Sequence, residues 1–181
     1  METATRNLEN DHVHILKLTD VMKAMTHSES PDVDHVESVI DIIKNFADGL
    51  HHGKEEEILF PALENKGFSA QQGPVAVMLH EHELGRNFVR GMSESLESLR
   101  KGNTDARDKL NMNLSGYADL LFNHISKENN ILFRMADKVL SAGEQKDLLD
   151  HFHTVEDNRG KGSRAEDYIM RINDLARIYE V

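Results

Sequence analysis

The feature that most constrains this chain is a ten-residue pattern that occurs twice, as HHGKEEEILF at residues 51–60 and HISKENNILF at residues 124–133. Each copy has a glutamate four residues after a histidine, followed by an Ile-Leu-Phe run. On an α-helix, residues four apart lie on one face, about 6 Å apart along the axis. A single exposed His–Glu pair is common on helices. Two copies in the same apolar setting instead predict two helices that present their pairs to a shared site.

The composition narrows the class of protein. The chain has 181 residues, a net charge of -11 and no cysteine. Its length fits one domain, or one domain with an extension. The negative charge argues against nucleic-acid and anionic-membrane partners, and the lack of cysteine excludes disulfides and thiolate metal sites. Because no signal core and no run of roughly 18 apolar residues occurs, we expect a cytoplasmic protein without membrane helices.

Helical periodicity runs along almost the whole chain, and only three prolines occur in it. We expect an all-α protein, with an up-down antiparallel four-helix bundle in residues 1–140 and a C-terminal helical hairpin in residues 141–181 packed on it. Pro61 should kink or end the second helix. The predicted helices cover residues 8–25, 31–65, 72–101, 104–140, 142–158 and 164–179.

Local signals refine these boundaries. Ser30 before Pro31 is typical of a helix start, and capping boxes are predicted at Ser141 with Glu144 and at Ser163 with Glu166. Helical spacing extends the buried stripes beyond the two His–Glu pairs. We expect these stripes to continue through Ile58 and Ala62 in the second helix, and through Ile131 and Met135 in the fourth.

Each of the four long helices places a histidine on its apolar stripe, and two of them add a glutamate. Buried polar groups are costly unless they are paired, and metal coordination removes that cost. Imidazole and carboxylate ligands without thiolate suit iron, manganese or zinc. Two carboxylates among four histidines suit two metals about 3.5–4 Å apart, with coordination positions left open. The candidate ligands are His12, His51, Glu55, His82, His124 and Glu128.

Alternatives exist at some of these positions. His14 competes with His12, and His80 competes with His82. Tyr117 lies two turns before His124 and is interpreted as a core tyrosine or as a hydrogen-bond donor to a metal-bound ligand. We expect Glu56 and Glu57 to lie on the solvated face. The remaining histidines should be solvated or lie next to the ligands without binding metal, namely His27, His35, His52, His151 and His153.

At these residues the sequence resembles the hemerythrin-like, or HHE cation-binding, family. The resemblance covers roughly residues 8–158. The matching stretches are DHVHILKLTDVM, HHGKEEEILFPAL, MLHEHELGR and YADLLFNHISKENNILFRMAD. It implies an up-down four-helix bundle with a non-haem di-iron centre and an oxo or hydroxo bridge, manganese or zinc being alternatives. It also implies that the six candidate residues are the ligands, with the two glutamates bridging the irons.

This sequence departs from the pattern of the oxygen-carrying relatives at one ligand position. Oxygen-carrying relatives have two histidines four apart on the third helix, whereas Met78 and Arg86 stand four residues from His82 here. One iron should therefore lack a histidine ligand, which argues against reversible dioxygen carriage.

The expected function is binding or sensing of dioxygen, nitric oxide, peroxide or iron itself, with a redox or signalling partner. The alternative is an enzyme that consumes peroxide or nitric oxide, or that repairs nitrosative or oxidative damage. The cysteine-containing N-terminal segment of the relatives that repair iron–sulfur clusters has no counterpart here, which weakens the repair hypothesis.

Overall fold

The computed structural model describes residues 2–28, 32–159 and 164–181, and within those ranges all regular structure is helical. The predicted all-α bundle is confirmed. No helix in this part of the chain is both long enough and apolar enough to cross a membrane. The helices are α1 (Ala4–Thr26), α2 (residues 33–64), α3 (Pro74–Arg100), α4 (residues 106–139), α5 (Ala142–Arg159) and α6 (Ala165–Ile178).

The core of the α1–α4 bundle is divided into two apolar clusters. On α1, Leu8 belongs to one cluster and Ile15 to the other, and His12 lies between them. On α2 the order is reversed, as in an antiparallel neighbour: Leu50 belongs to the cluster of Ile15, Leu59 belongs to the cluster of Leu8, and the first His–Glu pair lies between them. The polar residues therefore form a layer across the middle of the bundle.

Both copies of the repeated motif contain a π-helical turn. In α2 this turn is Glu55–Leu59, and in α4 it is Glu128–Leu132. The N–H groups of Phe60 and Phe133 donate to carbonyls five residues earlier. Helix α2 then runs on to Glu64, so of the two outcomes predicted at Pro61, a kink or an early end, the early end was wrong. Because Pro61 follows the wider turn, it starts a new α-helical segment, where a missing N–H costs little.

The π turns also shift the buried stripe by one residue. Each turn accommodates an extra residue, so the positions expected from α-helical spacing rotate outward. Ile131 is 51% exposed, whereas Leu132 next to it is buried. The predicted stripe was wrong beyond each glutamate. The buried residues there are Leu59, Phe60, Leu63, Leu132, Phe133 and Ala136.

The two C-terminal helices lie along the bundle one after the other. Phe152 of α5 belongs to the cluster that contains Leu8. Further along, Tyr168 of α6 stacks on Phe46 with ring centroids 6.2 Å apart, and the Tyr179 hydroxyl lies 3.0 Å from His35 Nδ1. The two helices were expected to form a hairpin. They instead follow one another along the bundle, because each helix buries its apolar face against it.

The capping box at the start of α5 is confirmed. The Ser141 N–H donates to Glu144 Oε2 at 2.8 Å, and the Glu144 N–H donates to Ser141 Oγ at 3.3 Å. Ser30, Pro31 and Ser163, which carried the other two start signals, lie outside the described residues. At the start of α2, Asp32 accepts from the N–H groups of Asp34 and His35.

Glycines allow α3 and α4 to approach closely. A Cβ at Gly91 would overlap Asn113 Oδ1 and lie 2.7 Å from its Cγ. Asn113 is 9% exposed, and its amide donates to the Lys109 carbonyl at 2.7 Å. A side chain at position 91 would therefore displace a buried, hydrogen-bonded amide or separate the two helices that carry His82 and His124.

We expect Gly91→Ala to destabilise the protein by about 1–3 kcal/mol, because the added methyl overpacks this contact. Gly143→Ala is the matched control, since a Cβ there meets nothing nearer than Ser141 Oγ at 4.0 Å. The control should be neutral, or stabilising by up to ~1 kcal/mol, from helix propensity. Urea unfolding of both variants measures the difference. Equal stabilities would contradict the close-approach argument.

Candidate metal centre

Two groups of buried side chains converge in the polar layer of the bundle. Within each group, one ligand atom from every residue lies within 4.8 Å of the others. Glu55 belongs to both groups. The first group consists of His12, His51, Glu55 and Glu128, and the second of His52, Glu55, His82 and His124. The structure thus brings all six predicted ligands together and adds His52.

Each glutamate directs one oxygen to either half of this layer. Glu55 Oε1 lies 3.7 Å from His51 Nε2, and its Oε2 lies 3.5 Å from His82 Nε2. Glu128 Oε2 lies 3.2 Å from His12 Nε2, and its Oε1 lies 3.3 Å from His124 Nε2. This is the arrangement that carboxylates need in order to bridge two cations.

His52 was missed by the sequence analysis, which predicted a solvated or outer histidine. Its side chain is 4% exposed, and its ring stacks on His82 with centroids 3.8 Å apart. Successive residues of an α-helix are separated by about 100°, which would turn His52 away from His51. Residues Ile43–His52 are π-helical, and both imidazoles lie inside the bundle. The two adjacent histidines in HHGKEEE were the only signal in the sequence that His52 also faces inward.

The Nδ1 atoms of all five histidines are hydrogen-bonded to oxygen atoms on their outer side. Four of the oxygens are carboxylates, which only accept when ionised, so the imidazole must carry its proton on Nδ1. The lone pair of each neutral Nε2 then faces the interior. The pairs are His51 with Asp11 at 3.2 Å, His124 with Glu81 at 2.9 Å, His82 with Glu56 at 2.7 Å, His52 with Asp48 at 3.1 Å, and His12 with Asn129 Oδ1 at 2.7 Å.

The expectation that Glu56 lies on the solvated face was wrong. Its side chain is 26% exposed, and it accepts from both His82 and Arg86. Arg86 also donates to Asp48 Oδ1, 3.1 Å from its Nε. One guanidinium therefore holds the two carboxylates that orient His52 and His82.

A lysine three residues after each motif histidine holds the other two carboxylates. Lys54 Nζ donates to Asp11 at 2.7 Å, and Lys127 Nζ donates to Glu81. The two contacts differ in burial, since Lys54 is 1% exposed and Lys127 is 35% exposed. The repeated motif therefore encodes a pair that faces the centre of the layer and also the cation that fixes the outer partner of its histidine.

Lys54 additionally links the bundle to the C-terminal extension. Its Nζ donates to Glu156 of α5 at 2.8 Å and to Asn7 at 2.8 Å. The sequence left the position of Glu156 open. In the structure Glu156 reaches Lys54 and belongs to neither ligand group.

The pKa shifts of the buried side chains show a demand for positive charge in this layer. Burial opposes the charge on His82, but the neighbouring carboxylates of Glu55 and Glu56 raise its pKa to about 9. Burial, followed by the charge on His82, lowers the pKa of His52 to about 3. The pKa of Glu55 lies well below its usual value, because nearby imidazoles outweigh the effect of burial.

The residues fit a pair of metal ions. All four carboxylate oxygens of Glu55 and Glu128 are buried and have no hydrogen-bond partner among the described residues. When the five imidazoles are neutral, with their protons on Nδ1, the layer presents only lone pairs at its centre. There Nε2 of His12 lies 3.0 Å from Nε2 of His51, and Nε2 of His82 lies 3.2 Å from Nε2 of His124. Such a cluster is costly unless cations fill it, and neutral imidazoles with carboxylates are ligands for iron, manganese and zinc.

The remaining candidates lie outside both groups. His14 is half-buried, His80 is exposed, and neither contributes a ligand atom. Tyr117 is 1% exposed and lies beside His52 and His82 at the wall of a cavity, and burial raises the pKa of its phenol. Other predicted outer residues are exposed, namely His27, Glu57, His151 and His153. His35 is half-buried against Tyr179.

Several known proteins are similar to this chain. An uncharacterized protein of Mycobacterium tuberculosis (strain H37Rv) is 22% identical over 180 residues, which cover 97% of this chain and 69% of that protein. The iron-sulfur cluster repair protein YtfE of Edwardsiella ictaluri is 35% identical over 89 residues, or 48% of this chain and 40% of that protein. YtfE of Enterobacter sp. (strain 638) is 33% identical over the same length. No solved structure matches the chain.

The hemerythrin HHE cation-binding domain matches residues 3–136, which include every residue of the two ligand groups. This segment is most of the chain, and it is the segment that forms the bundle. The chain therefore belongs to the hemerythrin HHE cation-binding domain family.

Proposed function

We propose that this protein holds two iron ions and binds a small oxygen or nitrogen species, namely dioxygen, nitric oxide or peroxide, at positions that the protein leaves open. The observation that carries the proposal is the set of four buried carboxylate oxygens without hydrogen bonds, each directed at imidazole nitrogens. Manganese or zinc would satisfy the same donors. When bound, the metals would supply Lewis-acid and, for iron, redox chemistry.

The two halves of the site would hold their ions differently. The first half offers His12 and His51, and the second offers His52, His82 and His124, with both glutamates shared between them. Counting one oxygen from each glutamate, the first half would supply four protein ligands to an ion and the second half would supply five. His52 thus supplies the imidazole that α3 lacks. The half with two histidines would leave more coordination positions for an exogenous ligand.

A second candidate is a role in repair or detoxification. The similarity to iron-sulfur cluster repair proteins over part of the chain favours it. The two functions differ in turnover. A binding protein takes up and releases the ligand unchanged, whereas an enzyme consumes peroxide or nitric oxide repeatedly when a reductant is supplied. Ligand-consumption assays on the iron-loaded protein distinguish them.

Metal content tests the ligand assignment. The wild-type chain, expressed with iron and purified without chelator, should contain about two irons. Glu55→Ala and Glu128→Ala should each lose at least one, because both ions share these carboxylates. His52→Ala should lose one ion and keep the other. Elemental analysis of each variant gives the stoichiometry.

His80→Ala serves as the control, since His80 lies on α3 near His82 but is exposed. It should retain the wild-type metal content. Two irons in His52→Ala would restrict the ligands to the six residues predicted from sequence. Full occupancy in both glutamate variants would rule out a carboxylate-bridged pair.

Metal removal should lower the melting temperature by roughly 5–10 °C, because metal binds the folded state and relieves the cluster of lone pairs. Calorimetry before and after chelation, with iron added back, measures the shift. A melting temperature that chelation leaves unchanged would favour a scaffold whose polar layer needs no ion.

Lys54→Met should destabilise the protein by roughly 2–4 kcal/mol, because it leaves Asp11 and Glu156 without their buried cation. Lys127→Met is the matched control at the equivalent motif position. It should cost less than about 1 kcal/mol, since this lysine is partly solvated. Urea unfolding of both variants compares them, and equal losses would show that the burial of Lys54 carries no energetic weight.

A further inference from the structure

A cavity of about 280 Å³ lies against the second half of the candidate metal site, between α2, α3 and α4. Its inner end is formed by buried side chains of His52, His82 and Tyr117. Its outer end is formed by Lys44 and Arg90, which are exposed, and by Ser93. The cavity thus runs from solvent to the imidazoles.

This volume exceeds what a diatomic ligand needs. A water molecule occupies about 30 Å³ in the liquid, so the cavity has roughly the volume of nine water molecules. Small organic ligands bind in cavities that start near this size. A passage for dioxygen or nitric oxide alone does not require so much space.

The middle of the cavity is apolar. Ile43, Val89 and the ring of Tyr117 contribute to its walls. Gly85 lines the same wall, and a Cβ there would lie 3.1 Å from Tyr117 Cε2. Moving a hydrocarbon chain from water onto such a surface is favourable by about 0.8 kcal/mol per methylene, which strengthens binding about fourfold for each methylene.

The mouth of the cavity is cationic in a protein whose net charge is -11. Lys44 donates to Ser93 Oγ at 3.3 Å, and Arg90 donates to Asn87 Oδ1 at 2.7 Å. In the described part of the chain, neither has a carboxylate within 4 Å. A third cation at the wall, Arg86, is already balanced by ion pairs with Asp48, Glu56 and Glu83.

We infer that this cavity binds a small organic monocarboxylate. The carboxylate lies between Lys44, Arg90 and the Ser93 hydroxyl. The hydrocarbon chain packs inward towards Tyr117 and His52. The charge at the mouth and the apolar wall behind it select for a ligand with one anionic end and one apolar end. This inference goes beyond the proposed function and does not require that the metals be bound.

The test is calorimetric titration of the metal-loaded full chain with acetate, butanoate, hexanoate and octanoate. We expect saturable one-to-one binding that strengthens about fourfold per methylene up to the length that fills the cavity. Hexan-1-ol, which has the same hydrocarbon chain without the charge, should bind at least tenfold more weakly than hexanoate.

Charge reversal at the mouth separates specific binding from general attraction. Lys44→Glu/Arg90→Glu should weaken hexanoate at least tenfold. The control Lys138→Glu/Lys146→Glu makes the same change of charge at exposed positions that do not line the cavity, and it should bind as wild type does. All four positions are exposed, so both proteins are expected to fold, and circular dichroism checks this.

Three results would overturn the inference. One is the absence of saturable binding by any of the acids. Another is equal affinity of the two double variants. The third is loss of binding on metal removal while the fold is retained, which would place the carboxylate on the metals. Elemental analysis of the same samples keeps this outcome distinguishable from a failure of the proposed di-iron function.

Discussion

The structure depends on a concentration of lone pairs at the centre of the bundle. Outer oxygens fix the proton of each imidazole on Nδ1, and the four oxygens of Glu55 and Glu128 have no donors among the described residues. Only cations can stabilise such a centre, either protons on imidazoles or metal ions. The apolar clusters on either side exclude water and increase this demand. The stability of the apolar core and the charge balance of the polar site therefore depend on each other.

The repeated motif performs several tasks at once. Its histidine and glutamate face the centre, its lysine holds the carboxylate that orients the histidine, and its Ile-Leu-Phe run re-enters the apolar core after a π turn. The π turn lets the glutamate and the following Leu59 or Leu132 face inward together. Such insertions are frequent at functional sites, since they change side-chain direction without ending the helix.

The sequence was sufficient to predict the helices, their antiparallel order and the convergence of the six candidate ligands, because these follow from regular spacing. What it missed follows from departures from that spacing. His52 faces inward because residues 43–52 are π-helical, and Ile131 faces outward because a π turn precedes it. The outer carboxylates were also missed, since Asp11 and Glu81 lie on other helices from the histidines that they hold. Which side chains pair between helices depends on tertiary packing, and the periodicity of a single helix carries no information about it.

The two halves of the candidate metal site have different surroundings. Around His51, the buried Lys54 joins α1, α2 and α5, so the extension beyond the matched family segment is held against the half that contains His12 and His51. Around His52, more imidazoles surround the ion position, but a cavity with a cationic mouth adjoins it. A ligand in that cavity would contact imidazole rings and Tyr117 rather than an open coordination position.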